Sequence, residues 1–156
     1  MVRGKTAESI KVQSLFLPER IGAVTHYYNS QSITDQVGIG LDTQPYDDVT
    51  VHIHVGTMDG PAGATLLNSI LECATDDPSA ASAISGANFT SLNPATDEQL
   101  RSGAIKVKDQ MRWLFLDTEV QNAWSESQAV TLDFAAFAVM GKPDEQATVA
   151  TYDFDL

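Results

Sequence analysis

Two of the three histidines of this chain lie two residues apart, in the stretch Val51-His52-Ile53-His54-Val55. Side chains at positions i and i+2 of a β-strand point to the same side of a sheet. An H-x-H pair on a strand can therefore present two imidazoles to one ion, which is the chemistry of a metal site. The same spacing arises when polar residues occupy one face of an alternating strand. Both interpretations are open at this point.

A metal site of this kind resembles that of the cupins, jelly-roll barrels in which H-x-H, a following carboxylate and a later histidine bind a transition metal. His52, His54 and Asp59 are similar to the first part of that pattern. The chain departs from it because Asp59 stands in place of a glutamate, Tyr46 in place of a glycine, and no histidine follows His54. A cupin-like metal-dependent enzyme using His52 and His54 is therefore the alternative, and we predict no metal and no cofactor.

Other catalytic patterns are missing from the sequence. Gly38-x-Gly40 lacks the third glycine of a dinucleotide-binding loop, no G-x-S-x-G elbow occurs, and Cys73 lies in an apolar run where a buried thiol is inert. The acidic pairs all fall in turn-like sequence, where such residues cap the backbone. They are Asp47-Asp48, Asp76-Asp77, Asp97-Glu98 and Asp144-Glu145. We therefore predict no catalytic residue and a protein that is not an enzyme.

The elements that position these residues are short strands. Val49, Val51, Ile53 and Val55 alternate with polar residues, which is typical of a half-buried strand. Further strands are predicted at 37–41, 66–74, 104–108, 111–120 and 130–140, and residues 77–100 are predicted to be a long loop with a short strand at 87–92. Several short strands without a convincing helix predict an all-β fold, an antiparallel β-sandwich of jelly-roll-like architecture.

Composition narrows the possible partners. The 156 residues suffice for one domain, are 43% hydrophobic and carry a net charge of −12. An acidic body argues against nucleic-acid binding, which needs a clustered basic surface. The longest apolar run is too short to cross a bilayer, so we expect no membrane partner and a soluble protein without a secretion signal.

The two ends of the chain differ from the middle. Ser14-Leu15-Phe16-Leu17-Pro18 is a short apolar segment ended by proline, within a stretch that carries a net positive charge. Such a segment is either an arm that packs on another surface or the first edge strand of the sandwich. We predict an extended N-terminal arm over residues 1–32, a sandwich body over 33–143 and an acidic C-terminal tail over 144–156.

The chain resembles the capsid cement, or decoration, proteins of tailed bacteriophages. The resemblance is carried, over about residues 14–143, by SLFLPERIG, YDDVTVHIHVG, LLNSILECATDDPSAAS, IKVKDQMRWLFLDTEV and AVTLDFAAFAVMGKP. It implies a structural protein on the exterior of the virion capsid. Its partner would be the major capsid protein, and it would be a homo-oligomer, with a trimer favoured and a dimer possible.

On that resemblance the candidate capsid contacts lie in the arm and in one loop. Apolar anchors and basic side chains are the groups expected to give the arm affinity and electrostatic complementarity. The candidates are Arg3, Lys5, Lys11, Leu15, Phe16, Leu17, Arg20 and Trp124. A glycan-binding β-sandwich using Tyr27, Tyr28 and Trp124 is a further alternative.

Overall fold

The computed structural model describes residues 10–22, 27–28, 31–32, 40–44, 46–121, 130–141 and 153–156. These residues form eleven strands and two short 3₁₀ turns, Pro78–Ala80 and Val107–Asp109. No helix of the described residues is long and apolar enough to cross a membrane. The strands are β1 Lys11–Gly22, β2 Tyr27–Tyr28, β3 Gln31–Ser32, β4 Leu41–Asp42, β5 Asp48–Asp59, β6 Thr65–Cys73, β7 Ser82–Asn88, β8 Gln99–Lys106, β9 Trp113–Gln121, β10 Thr131–Gly141 and β11 Phe154–Asp155.

The strands are arranged in two sheets. One has the order β1-β10-β5-β8-β11, and the other has the order β3-β2-β9-β6-β7, with β4 pairing further along β9. All pairs are antiparallel except β11 with β8. Most connections cross from one sheet to the other, whereas β6 and β7 are neighbours in one sheet and β10 and β11 both belong to the other. This arrangement is similar to the two Greek keys of a jelly roll. The predicted all-β, jelly-roll-like sandwich is confirmed.

The core lies between the two sheets. The four residues predicted to form the apolar face of β5 are all buried: Val49, Val51, Ile53 and Val55. They share one hydrophobic cluster with Leu114 and Leu116 of β9, in the opposite sheet. Full burial of one such side chain contributes about 1.5–3 kcal/mol, so the alternation of β5 is a large part of what holds the sheets together.

The segment predicted as an apolar arm is in part a strand of this body. β1 pairs with β10 along its whole length, from Lys11 opposite Met140 to Gly22 opposite Thr131. Its ladder is interrupted twice, around Leu15 and around Pro18, a residue that sheets admit at edges and bulges because it lacks an N–H group. Residues 11–22 therefore belong to the sandwich, and residues 1–9 of the predicted arm lie outside the described part.

The C-terminal residues also return to the body. The predicted tail ends in β11, where Phe154 lies opposite Gly103 and Asp155 opposite Ala104 of β8. Phe154 is buried in the main hydrophobic cluster. The acidic composition of the segment did not predict this, because the pairing partner β8 lies about fifty residues earlier in the chain.

The long loop predicted at 77–100 contains a strand at a different position. β7 spans Ser82–Asn88 and pairs with β6 through an irregularity between Ser69 and Leu71. Its buried positions are Ile84 and Ala87, so the period-two alternation is broken. An edge strand with a bulge leaves too few inward residues for periodicity to detect.

Candidate functional site

His52 and His54 share one side of β5, as their spacing predicts. Their neighbours across the ladder are Ser102 and Leu100 on β8, and Phe137 and Ala135 on β10. This side is the outer face of the five-stranded sheet, since the buried valines of β5 point the other way. A cupin-like pair would need to face the interior of the barrel, so the fold turns these histidines away from such a position.

His52 is held by two neighbours on this outer face. Its Nδ1 lies 2.7 Å from the Ser102 hydroxyl oxygen. Its ring stacks on Phe137, with 4.8 Å between the centroids and 25° between the planes. Partial burial lowers the pKa of His52 below its ordinary value. A neutral imidazole that fills space in a sheet face is the state these contacts favour.

Asp59 does not complete a metal site with the two histidines. It lies five residues beyond His54 at the end of β5, about 16 Å along an extended strand. Its carboxylate accepts a hydrogen bond from Arg20. Among the residues with described positions, no group of three or more His, Cys, Asp or Glu side chains is placed to hold a metal ion. His26 lies outside that set.

The same outer face carries exposed apolar side chains. We define the outer-face patch as Val12, Leu17, Leu100 and Phe137, which are 64%, 71%, 62% and 39% exposed. Val12 lies opposite Val139, Phe137 lies between Ser14 and His52, and Leu100 lies opposite His54. The edge strand β1 and the strands β8 and β10 therefore present exposed apolar groups on one face, on either side of the histidines of β5, as interaction surfaces do.

The outer face of the six-stranded sheet is different because it is partly covered. Phe115 on that face is fully buried, in a small cluster with Leu71 and Cys73 against which Trp113 packs. Gly40 approaches so closely that a Cβ there would lie 2.9 Å from the rings of Phe115 and Trp113. Its amide donates to the Asp76 carboxylate at 2.6 Å. The apolar groups of this face are thus satisfied within the chain, unlike those of the outer-face patch.

The structure buries some of the predicted contact residues and exposes others. Leu15 and Phe16 are buried, so they cannot anchor on a partner while β1 is in place. Leu17 is exposed, and Lys11 is exposed at the start of β1. The remaining sequence-based candidates, Arg3, Lys5 and Trp124, lie outside the described residues.

Arg20 is engaged within the sheet. Its guanidinium donates to Asp59, to Asp133 at 3.1 Å and to the Thr131 hydroxyl at 2.9 Å. Its hydrogen bond to Asp59, together with Asp133, raises its pKa above the ordinary value. The sequence predicts that the positive charge of Arg20 faces a capsid. In the structure this charge is paired with carboxylates on neighbouring strands of the same chain.

Two of the four acidic pairs use a carboxylate to hold the backbone, as their turn-like sequence context predicted. Asp77 caps the first 3₁₀ turn by accepting from the Ser79 amide at 2.9 Å and the Ser79 hydroxyl at 2.7 Å. Asp97 accepts from the Met58 amide at 2.7 Å. These carboxylates are occupied by backbone donors, which is a structural use.

Sequence reasoning missed the apolar outer face, although one signal was present. The segment Phe134 to Val139 is continuously apolar instead of alternating. A strand buried on one side only alternates, whereas a continuous apolar run indicates contacts on both sides. This run predicts that Phe137 and Val139 have a partner beyond the sandwich.

Comparisons with known proteins identify no family for this chain. No protein-family model matches the sequence, and no curated protein matches it. Among solved structures, the X-ray structure of the Triatoma virus empty capsid is similar, with a TM-score of 0.44 and 13% sequence identity over 90% of this chain and 95% of that chain. A likeness at this identity and TM-score does not bear on function.

The pKa of His52 leads to a prediction about stability and pH. Because the folded-state pKa is lowered, the unfolded chain binds the proton first as the pH falls below about 6.5. The folded state then loses stability, and it regains that stability as the pH rises. We expect His52→Gln to show a shallower fall in melting temperature between pH 7 and pH 5 than the wild type.

His54→Gln is the matched control, because it removes a histidine from the same strand face at an exposed position. It tests whether the loss of any imidazole from this face is enough to change the slope of melting temperature against pH. If the melting temperatures of His52→Gln and the wild type fell equally between pH 7 and pH 5, the partial burial of His52 would be contradicted.

Proposed function

We propose that this protein is a capsid cement protein, which binds the outer surface of an icosahedral phage head and holds neighbouring major capsid proteins together. The observation that carries the proposal is the outer-face patch, an exposed apolar surface on one rigid sheet of a jelly roll. The sequence resemblance to decoration proteins supports it.

The proposed mechanism is physical rather than chemical. Packed DNA pushes the shell outward, and a subunit bridging two capsomers adds buried interface that must be broken before they separate. A flat sheet face suits this task because its side chains are already ordered by the core beneath, so little entropy is lost on binding. Many identical copies act together, and a modest interface per copy is sufficient.

The patch differs from the arm as a site of contact. Val12 and Leu17 lie within the predicted arm, while Leu100 and Phe137 extend the contact across the sheet. Lys11, at the start of β1, lies next to Val12 and can add the electrostatic complementarity first assigned to the arm. Within this proposal residues 1–9, with Arg3 and Lys5, keep their expected role as a basic extension, and a homotrimer remains the favoured assembly.

The primary test is mass spectrometry of purified virions. We expect the chain in hundreds of copies per particle, as a shell protein requires. A count of a few copies per virion, or none, would reject the cement role.

A second test uses the patch directly. We expect Leu17→Ser and Leu100→Ser each to weaken binding to expanded capsid shells by about tenfold, the loss of roughly 1.4 kcal/mol. Both side chains are exposed, so the free energy of unfolding should change by less than about 0.5 kcal/mol. Co-sedimentation with shells measures the binding, and thermal unfolding measures the stability.

Met111→Ser is the matched control, because Met111 is exposed and apolar but lies in the segment before β9. It should bind shells as the wild type does. If Met111→Ser weakened binding as much as Leu17→Ser, the contact would not be the outer-face patch. Deletion of residues 1–9, which leaves β1 intact, separately tests the basic extension.

A further inference from the structure

One edge of β8 pairs with β5, and the other edge holds residues 153–156 as an added strand. The Asp153 amide donates to the Ser102 carbonyl at 2.6 Å, and the Leu156 amide donates to the Ala104 carbonyl at 3.0 Å. The Lys106 amide donates to the Leu156 carbonyl at 2.7 Å. This parallel pairing is the geometry by which a sheet edge binds an extended peptide.

Side chains make the edge selective for an aromatic residue. Gly103 leaves the space that the Phe154 ring fills, since a Cβ at Gly103 would overlap the ring. The ring also packs edge-on against Phe89, with 4.9 Å between the centroids. A larger residue at position 103 would close this pocket, so the glycine is part of the binding surface.

An acidic residue is recognised one position earlier. The Asp153 carboxylate accepts from the Thr90 amide at 3.1 Å and pairs with Arg101 at 3.4 Å. Arg101 is largely buried, and its Nε has no hydrogen-bond partner among the residues that the structure describes. Without the segment, a partly buried guanidinium would lose this carboxylate, which makes the empty edge unfavourable.

These contacts are local to four consecutive residues. Residues 142–152 join the segment to Gly141, and twelve residue steps of extended chain span up to about 40 Å. That reach is enough for the segment to arrive at the β8 edge of an adjacent copy. An identical segment from another copy would make the same contacts, which is the low-cost route to association by exchange of one element.

We infer that the β8 edge is a strand-acceptor groove that takes Asp153–Leu156 from a second copy of this chain as well as from its own. The two modes differ in the effective concentration of the segment, which is on the order of 1 mM when the segment is tethered to its own chain. Crowded copies, as in the proposed shell, favour the exchanged mode. The inference concerns the protein in solution, so its failure would leave the proposed cement role standing.

The test traps the exchange with cysteines placed at the paired positions Ala104 and Asp155. Neighbouring strands bring paired residues within the range that a disulfide spans. Two full-length chains, Ala104→Cys and Asp155→Cys, are made in a Cys73→Ala background, because Cys73 is the only native thiol. They are mixed near 1 mM and treated with oxidised glutathione, and we expect a disulfide-linked heterodimer on non-reducing gels.

Three controls allow each outcome of the mixing experiment to be interpreted. One chain carrying both cysteines should form an internal disulfide, which shows that the pairing geometry is correct. Ala62→Cys, in the exposed turn before β6, mixed with Asp155→Cys measures random collision. Adding Phe154→Ala to the Asp155→Cys donor should lower the heterodimer yield at least fivefold.

An internal disulfide in the double variant, together with a mixed yield no higher than that of the Ala62→Cys pair, would overturn the exchange. Failure of the double variant to link within one chain would overturn the groove itself. In each variant, far-ultraviolet circular dichroism checks that the sandwich is folded before mixing.

Discussion

Replacing Phe16 by alanine is expected to lower the free energy of unfolding by about 3–5 kcal/mol. The side chain is 1% exposed and packs edge-on against Phe134 of β10, with 4.9 Å between the ring centroids. Removing it leaves a cavity between β1 and the rest of the core, and an aromatic pair is lost as well. Chemical denaturation monitored by circular dichroism measures the change.

The neighbouring residue is the control. Leu17→Ala removes a similar apolar group, but 71% of that side chain is exposed, so the change should stay within about 0.5 kcal/mol. If residues 11–22 were a free arm, both substitutions would be near neutral. A loss of less than about 1 kcal/mol for Phe16→Ala would therefore contradict the assignment of β1 to the sandwich.

This result bears on truncation experiments. Deleting residues 1–20 would remove most of an edge strand together with Leu15 and Phe16. The core between the sheets would be opened, and any loss of capsid binding would reflect unfolding. Deletion of residues 1–9 tests an arm without disturbing β1.

Gly103→Ala is expected to destabilise the protein by about 1–3 kcal/mol, because the added methyl overlaps the Phe154 ring. Phe154→Ala should cost about 3 kcal/mol through the cavity it leaves beside Phe89. The loss of stability caused by Gly103→Ala has an upper limit, because release of Asp153–Leu156 from β8 relieves the overlap. It cannot exceed the free energy with which that segment docks.

The double variant Gly103→Ala/Phe154→Ala distinguishes this contact from a general effect of each change. With the ring gone, the new methyl has room, so the double variant should be no less stable than Phe154→Ala alone. Thermal and denaturant unfolding of the four proteins complete the cycle. Additive losses would show that the two residues do not meet, and the parallel pairing of β11 with β8 would then be wrong. Ala104→Val, one residue along β8, is the control for added bulk on the same strand.

Alternation and turn residues identified much of the fold in advance. β5, β6, β9 and β10 were each predicted within a few residues of their observed bounds, because each has enough inward apolar residues for a local pattern. β1 falls within the predicted arm, because two bulges and Pro18 interrupt the periodicity that would have indicated a strand. β7 and β11 were missed because they have few buried side chains and depend on pairing with distant strands.

The candidate site was predictable only in part. The shared side of His52 and His54 follows from strand geometry alone. Which side that is depends on the partner sheet, and the packing of β9 against the valines of β5 is what turns the histidines outward. The same packing buries Phe16 and exposes Leu17 and Phe137. Composition alone cannot distinguish a buried apolar residue from an exposed one.

By itself, the sequence determined that this is an acidic, all-β chain whose sheets are held by alternating valines and isoleucines, with carboxylates in its turns. Only the tertiary structure decided that Leu15 and Phe16 are core, that the outer-face patch lies on one sheet, and that Phe154 returns to Gly103. The reason is physical. Period and turn chemistry are properties of neighbouring residues, whereas the identity of an exposed face and the occupant of a strand edge are set by contacts between segments far apart in the chain.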